Sequence, residues 1–201
     1  MLLKLTRENL EEALYRSSAV LERGGIIAYP TETFYGLGVK YDIEPALRKL
    51  YFVKQRPKEK AMPLIIGSVE RLSLLTDFMS DAARELIRRF WPGPLTIIFE
   101  ARRGLSEYIV SGNRVAVRIP GESFALELAR VSGFPITATS ANISGMPPAD
   151  SVQMVQDYFD GSLDLIIDAG KTAGVLPSTI VDATGGELKL LRRGAADIGL
   201  L

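Results

Sequence analysis

The chain has 201 residues, of which 47% are hydrophobic and 24% are charged, so it can bury a substantial core in one large domain or two small ones. Lys plus Arg and Asp plus Glu both number 24, so net charge gives no argument for a polyanionic partner, although a local basic cleft is compatible with it. The absence of cysteine and histidine excludes disulfides, Cys/His zinc sites, Cys–His dyads and the Ser–His–Asp triad. Catalysis must therefore use Lys, Arg, carboxylates, hydroxyls, backbone dipoles or an oxygen-ligated metal.

The apolar run at the N-terminus is too short for the hydrophobic region of a signal peptide, and no apolar run approaches the length of a membrane span. We therefore expect a cytoplasmic protein that does not contact a membrane.

Apolar spacing predicts short helices and strands without strict alternation, repeats or linkers. This mixture predicts a single α/β domain of the α+β type with a mixed sheet. The predicted helices are 6–23, one starting at Glu44-Pro45, one capped by Ser80-Asp81, 123–131 and 152–159. The predicted strands are 26–29, 95–99, 115–119, 136–138, 165–167, 179–181 and 188–191.

Residues 26–38 begin with the predicted strand 26–29 and continue as a polar segment. Pro30 ends the apolar run because it lacks a backbone donor, and hydroxyls, a carboxylate and two glycines follow. This pattern predicts a strand that leads into a binding loop at a sheet end. An ordinary turn with solvated hydroxyls is equally compatible with it.

Two basic positions stand out beside predicted elements. Lys54 and Arg56 are two residues apart before Pro57, so an extended segment would point both cations the same way, toward a triphosphate. By spacing alone, a solvated basic turn is the stronger interpretation. Arg118 interrupts an apolar strand, which indicates either a carboxylate-bearing ligand or a structural salt bridge.

Three further segments have weaker signals. Thr139 to Asn142 and Pro177 to Thr179 place small hydroxyls and an amide at strand ends, where ordinary turns are the commoner explanation. Gly170-Lys171-Thr172 looks like the end of a phosphate-binding P-loop, but the first glycine would fall at Leu165, and 173–177 do not start a helix. We therefore reject a P-loop.

Taken in order, these segments resemble the YrdC-like family, the threonylcarbamoyl-AMP synthases. The resemblance covers residues 10–195, nearly the whole chain. It rests on seven segments: 30–38 (PTETFYGLG), 54–57 (KQRP), 91–96 (WPGPLT), 115–118 (VAVR), 140–145 (SANISG), 177–182 (PSTIVD) and 191–194 (LRRG).

The resemblance implies a twisted mixed β-sheet flanked by helices, with a concave, positively charged cleft. It implies an enzyme that joins L-threonine, bicarbonate and ATP into threonylcarbamoyl-adenylate and releases pyrophosphate, as the first step of a tRNA modification. Longer members carry a second domain. This chain ends soon after Arg193 and so resembles the single-domain form, one domain over 1–201.

The resemblance also implies roles for individual residues, with no covalent enzyme intermediate. Lys54 and Arg56 would contact the triphosphate as catalytic groups, with Mg²⁺ as a further counter-charge whose ligands the sequence does not identify. The remaining expected contacts are Ser140, Asn142 and Arg192 for ATP, and Thr31, Tyr35, Lys60, Arg118 and Ser178 for threonine, with Arg118 on its carboxylate. Glu32 receives no role.

Three segments depart from the family pattern. Gly121-Glu122-Ser123 replaces a histidine found in many relatives, Arg114 replaces a small hydroxyl residue, and the spacing of residues 58–62 differs.

Two other functions remain open at this point. A non-enzymatic module of the same fold would bind double-stranded RNA or tRNA through phosphate contacts in the cleft. A paralogue with another carbamoyl-type substrate would keep the scaffold and change the threonine contacts. If the synthase interpretation holds, proteins that transfer the threonylcarbamoyl group to tRNA are expected downstream partners.

Overall fold

A computed structural model describes residues 1–57, 59–159, 161–172, 176–185 and 187–199. Within these ranges the helices are α1 (Leu10–Glu22), α2 (Glu44–Lys54), α3 (Asp81–Phe90), α4 (Phe124–Ser132), α5 (Val152–Phe159) and a 3₁₀ helix at Val69–Leu74. The strands are β1 (Leu2–Lys4), β2 (Ile27–Pro30), β3 (Tyr35–Gly38), β4 (Leu64–Ile65), β5 (Leu95–Glu100), β6 (Val110–Ser111), β7 (Arg114–Arg118), β8 (Ile136–Thr137), β9 (Thr139–Ser140), β10 (Leu165–Asp168), β11 (Thr179–Asp182) and β12 (Lys189–Arg192). No helix in this part of the chain is long and apolar enough to cross a membrane.

The strands form two sheets, and not the one sheet that the sequence predicts. The first has the order β1-β10-β2-β3-β9, and the second has the order β12-β11-β5-β7-β4-β8 with β6 beside β7. Both sheets contain parallel and antiparallel pairs, so the α/β class and the mixed pairing are confirmed. Strand pairing joins residues far apart in sequence, which is why periodicity within single segments did not separate the sheets.

The helix boundaries largely follow the local signals. Pro45 lies in the first turn of α2, where its missing N–H costs nothing. Ser80 Oγ accepts a hydrogen bond from the Ala83 amide at 3.1 Å, as predicted for the cap of α3. The helix predicted over 6–23 begins only at Leu10, because Thr6 and Asn9 hydrogen-bond to each other outside it.

The segment after Pro30 is a β-hairpin, and only its first half is the polar turn predicted from the sequence. β3 pairs antiparallel with β2, with Pro30 opposite Tyr35 and Ile27 opposite Gly38. A Cβ atom on Gly38 would lie 2.8 Å from the Tyr29 ring and 2.8 Å from Ile136. The glycine therefore permits close packing within a strand and does not mark a turn.

Two apolar clusters fix the layers of the fold. In one, α1 and α4 pack on the five-stranded sheet through residues such as Leu21, Leu128 and Leu165. The other is larger and joins α2, α3 and α5 to inward-facing residues of both sheets. Both faces of the five-stranded sheet are therefore buried by core residues.

The seven-stranded sheet buries one face and leaves the other open. Successive side chains on a strand point to opposite faces. In β5, β7 and β11, one alternation lies in the core (Ile97, Phe99, Val115, Val117 and Val181). The intervening residues (Thr96, Ile98, Ala116, Arg118 and Ile180) line a cavity. Arg118 interrupts an apolar strand because it belongs to this open face.

Candidate active site

A cavity of about 890 Å³ lies where the β2–β3 hairpin and β9 face the open side of the seven-stranded sheet. This volume suits a ligand of nucleotide size. Eight of the ten predicted site residues line it: Thr31, Tyr35, Arg56, Lys60, Arg118, Ser140, Ser178 and Arg192. Lys54 and Asn142 lie behind the lining, although both contact Ser140.

The charges on the cavity wall are unbalanced. Its described lining contains five cations (Arg56, Lys60, Arg114, Arg118 and Arg192) and two carboxylates (Glu32 and Glu59). Net charge over the whole chain is zero, so the positive charge is concentrated here by the fold. Such a wall favours ligands that carry phosphate or carboxylate groups.

Lys54 is buried beneath the cavity and does not line it. Its side chain is 1% exposed, and Nζ donates hydrogen bonds to Ser140 O (2.5 Å), Asn142 O (2.7 Å) and Asn142 Oδ1 (3.3 Å). Burial lowers the pKa of Lys54 to about 7, and the nearby charge of Arg56 acts in the same direction. All three donors of the ammonium are used inside the protein, so Lys54 supports the Ser140–Asn142 segment.

The prediction of an extended Lys54–Arg56 segment is wrong. Lys54 is the last residue of α2, and Gln55 after it has a left-handed backbone conformation (φ 50°). The two side chains nevertheless reach the same part of the chain. Lys54 contacts Ser140 and Asn142, and Arg56 Nη1 donates to Thr139 Oγ1 at 3.4 Å.

The Arg56 guanidinium is fixed by backbone carbonyls. Nε donates to Lys60 O (2.8 Å) and Nη2 to Ala61 O (2.9 Å). Its remaining edge faces the cavity beside Thr139. A guanidinium held on one edge presents the other to an oxyanion with little entropy left to lose.

The side-chain amide of Asn142 also makes all its hydrogen bonds within the protein. Its Oδ1 accepts a 2.5 Å hydrogen bond from Ser140 Oγ, and its Nδ2 donates to Ile143 O (3.0 Å) and Met146 O (2.7 Å). The amide therefore orders the turn that presents Ser140 to the cavity, and it has no free donor.

Thr31 and Tyr35 line the cavity, but their hydroxyls already have partners. Thr31 Oγ1 donates to Phe34 O (2.6 Å) and accepts from the Thr33 amide (3.1 Å), which closes the hairpin turn. Tyr35 OH donates to Gly170 O (2.7 Å) and accepts from the Ala169 amide (3.1 Å). Tyr35 thereby connects the cavity wall to the loop after β10, and burial raises its pKa.

The rejected P-loop segment lies in this loop after β10. Residues 173–175, on which the rejection partly rested, are outside the described residues, as is Lys58 in the segment of altered spacing.

Arg118 is paired with Glu32. Its side chain is 12% exposed, and Nη2 forms an ion pair with Glu32 Oε1. Nε donates to Gly93 O at 2.9 Å, and Glu32 Oε1 also accepts from the Gly121 amide at 3.0 Å. Burial lowers the pKa of Arg118 to about 10. The structural salt bridge left open by the sequence is therefore present, and it lies on the cavity wall.

Glu32, which received no role from the sequence, lies on the cavity wall as the partner of Arg118. Its partners Arg118 and Gly121 are 86 and 89 residues away in sequence, so no local pattern could identify the pair. The signal in the sequence was Arg118 within an apolar strand, because an arginine that is removed from solvent requires a carboxylate partner.

Ser178 and Arg192 form a hydrogen-bonded unit in the cavity lining. Arg192 Nε and Nη2 donate to Ser178 O (3.0 and 2.8 Å), and Nη2 also donates to Ser178 Oγ (3.0 Å). Ser178 Oγ lies 3.0 Å from Thr96 Oγ1. The sequence assigned these two residues to different substrates, whereas the structure places them in direct contact.

Three remaining charged groups complete the lining. Lys60 and Glu59 are exposed, and Arg114 contacts Asp182 at 3.4 Å. Within the described residues there is no cluster of three or more Asp, Glu, His or Cys side chains able to hold a metal.

Comparison with known proteins agrees with this fold. The family model of the Sua5, YciO and YrdC proteins, described as "Telomere recombination", matches residues 19–194. The chain belongs to this family. The family predicted from the sequence is therefore confirmed.

Relatives in the Sua5/YciO/YrdC family are similar over most of this chain. It is 39% identical over 190 residues to a threonylcarbamoyl-AMP synthase from Pyrococcus abyssi, covering 94% of this chain and 56% of that protein. It is 38% identical over 180 residues to a protein of the same name from Klebsiella pneumoniae, covering 88% and 94%. The crystal structure of P. abyssi Sua5 complexed with L-threonine superposes with a TM-score of 0.89 at 36% identity, covering 96% of this chain and 57% of that chain. The chain thus spans little more than half of the P. abyssi protein.

Proposed function

We propose that this protein is an L-threonylcarbamoyladenylate synthase, which converts L-threonine, bicarbonate and ATP to threonylcarbamoyl-AMP and pyrophosphate. The main support is the cavity, which brings eight of the predicted substrate contacts together on one basic wall. The names of the relatives and the threonine complex of the P. abyssi protein support the same chemistry.

The reaction needs alignment and charge neutralisation more than an activated side chain. The threonine ammonium first loses a proton, and the free amine then forms a C–N bond with the carbon of bicarbonate as water leaves. A carbamate oxygen next attacks the α-phosphate of ATP, and pyrophosphate leaves. In-line phosphoryl chemistry of this kind depends on positioned cations and dipoles. The absence of His and Cys is therefore no obstacle.

Within this proposal, the cavity divides between two walls. Arg56, held by the Lys60 and Ala61 carbonyls, contacts the triphosphate together with Ser140. Lys60 remains a proposed contact of threonine. Arg118 binds the threonine carboxylate through its guanidinium. Arg192 and Ser178 act as one unit, at the point where the amino acid and the nucleotide meet.

Four predicted contacts become positioning residues. Lys54 and Asn142 use their polar groups on the 140–146 segment, so they act on ATP by ordering Ser140. Thr31 and Tyr35 use their hydroxyls on the hairpin turn and the loop after β10, so they shape the threonine side.

A Mg²⁺ ion that accompanies ATP would be held mainly by phosphate oxygens and water. The described residues supply no carboxylate cluster for it, and Glu32 on the cavity wall is already paired with Arg118. The metal would add counter-charge beside Arg56, with no protein cage of its own.

Further proposals follow from this activity. The product would be consumed by proteins that transfer the threonylcarbamoyl group to tRNA, which places the reaction in the cytoplasm. One cavity is shared by both sheets, which supports one functional domain over 1–201.

The proposal is tested by measuring pyrophosphate release from ATP and bicarbonate with and without L-threonine. We expect release to depend on threonine and on bicarbonate. If pyrophosphate release did not depend on threonine, the proposal of a synthase would be rejected.

An RNA-binding module is the alternative that the same assay separates. It predicts tight, salt-sensitive tRNA binding without pyrophosphate release. A cavity of about 890 Å³ favours small substrates, because double-stranded RNA is recognised across an extended surface.

A further inference from the structure

Glu32 occupies a position that the proposed chemistry has not yet used. It lies in the turn of the β2–β3 hairpin, on the cavity wall, with its side chain 20% exposed. One oxygen, Oε1, contacts both Arg118 and the Gly121 amide. The backbone contact holds the carboxylate in place independently of the arginine.

The second oxygen has no partner. Glu32 Oε2 is buried and accepts no hydrogen bond from the described residues. A buried carboxylate oxygen without a donor is costly. A ligand that supplies a donor at this point would remove that cost.

We propose that Glu32 binds the α-ammonium group of the amino-acid substrate. The inference rests on the proposed function, because it takes Arg118 as the site of the substrate carboxylate. In the structure Glu32 neutralises Arg118. When the amino acid enters, its carboxylate takes a share of Arg118, and its ammonium donates to Oε2.

Charge balance gives the reason for this exchange. Arg118 and Glu32 sum to zero, and a zwitterionic amino acid adds zero, so four charges are paired after binding without a net charge being buried. A substrate with a carboxylate but no ammonium would place two carboxylates against one guanidinium. Glu32 therefore selects α-amino acids and rejects α-hydroxy acids of the same shape.

The test compares L-threonine with 2,3-dihydroxybutanoate of matching configuration, in which a hydroxyl replaces the ammonium. Binding of each to the wild-type protein is measured by calorimetry at pH 7.5. We expect the hydroxy acid to bind roughly 10- to 100-fold more weakly, the range for a hydrogen bond to a charged group. Equal affinities would overturn the inference without requiring any variant to fold.

Glu32→Gln then isolates the carboxylate, because glutamine retains an oxygen for the Gly121 amide. We expect the affinity of this variant for threonine to fall roughly 10-fold or more. The ratio of its affinities for threonine and for the hydroxy acid should fall toward one. Glu59→Gln, at the other carboxylate on the wall, is the matched control and should keep the preference. Unchanged discrimination in Glu32→Gln would contradict the role of Glu32.

The proposed function and the role of Glu32 can fail separately. If the wild-type protein does not bind threonine, the proposed function fails. If it binds threonine and releases pyrophosphate but does not discriminate against the hydroxy acid, only the role of Glu32 fails.

Discussion

Two basic side chains beside the same cavity, the buried Lys54 and the partly buried Arg118, are compensated in different ways. Lys54 is surrounded by carbonyl oxygens of the 140–142 segment. Arg118 is paired with the carboxylate of Glu32 and held by one carbonyl, that of Gly93. One cation is compensated by fixed dipoles, and the other by an ionised side chain.

This difference distinguishes a residue that supports the site, Lys54, from one that is proposed to bind substrate, Arg118. The carbonyls around Lys54 belong to the backbone that Lys54 organises, so a ligand cannot replace them without unfolding that segment. Arg118 and Glu32 form a pair on the cavity wall, and a substrate carboxylate can compete for the guanidinium. A buried cation near a site is thus a binding group only when its partner can be exchanged.

The largest expected effect is the loss of adenylate formation in Lys54→Ala. The change removes the donor of Asn142 O, which costs about 1–3 kcal/mol, and takes one of the donors from Ser140 O and from Asn142 Oδ1, so Ser140 loses its position. We expect threonine-dependent pyrophosphate release to fall by about 100-fold or more. Lys49→Ala, on the same helix and paired with Asp164 at the surface, is the control and should retain activity.

If Lys54→Ala formed adenylate at the wild-type rate, the supporting role assigned to Lys54 would be wrong.

Arg118→Gln is expected to raise the KM for threonine by about 100-fold, because it removes a charge-assisted contact to the substrate carboxylate. The KM for ATP should change little. Breaking the pair also leaves Glu32 buried without its partner, at a cost of roughly 3 kcal/mol in unfolding free energy.

The double variant Arg118→Gln/Glu32→Gln separates these two effects. It should regain most of the unfolding free energy and none of the threonine affinity. Recovery of threonine affinity in the double variant would show that Arg118 has only a structural role.

The pH dependence of stability should report on Lys54. Its pKa in the folded protein is about 7, below the ordinary value of 10.5. Between these values the unfolded chain keeps a proton that the folded protein releases, so the unfolding free energy rises with pH, by at most about 1.4 kcal/mol per pH unit. Below about pH 7 both states are protonated and this contribution is constant.

Urea unfolding of the wild type and of Lys54→Met between pH 6 and 9.5 checks this sign. Subtracting the two curves removes the contributions of other groups. A difference that does not increase with pH above about 7 would mean that Lys54 keeps an ordinary pKa.

The smallest expected effect belongs to Ser178→Ala. Its hydroxyl accepts from Arg192 and lies beside Thr96, while the Ser178 carbonyl keeps the other two bonds to Arg192. We expect the KM for threonine to rise about 5- to 10-fold, as for the loss of one hydrogen bond of about 1 kcal/mol. A rise in the KM for ATP alone would assign this unit to the nucleotide.

Local signals in the sequence predicted much of the fold. The cap at Ser80, the helix predicted over 123–131, the proline in the first turn of α2, and the apolar strands β5 and β7 all occur as expected. The division into two sheets, and strands β1, β3 and β9, did not follow from the sequence. Two- to four-residue strands carry too little periodicity, and their pairing depends on distant partners.

The sequence predicted which residues lie together better than it predicted their hydrogen bonds. The ordered motifs identified residues that the fold brings to one cavity, including Arg56, Arg118 and Ser178. Hydrogen-bond partners could not be predicted, because the bond from Lys54 to Asn142 spans 88 residues. The burial of Lys54 and the role of Glu32 both depended on such long-range contacts.

The chain changes sheets within the cavity wall. β8 pairs with β4 in the larger sheet, β9 pairs with β3 in the smaller, and Ala138 alone separates them. A substrate bound against Thr139 and Ser140 therefore restrains both sheets through one short piece of backbone. Slower hydrogen exchange of backbone amides should accordingly appear in β3 and in β4 together, although only one of them belongs to the sheet that carries Arg118.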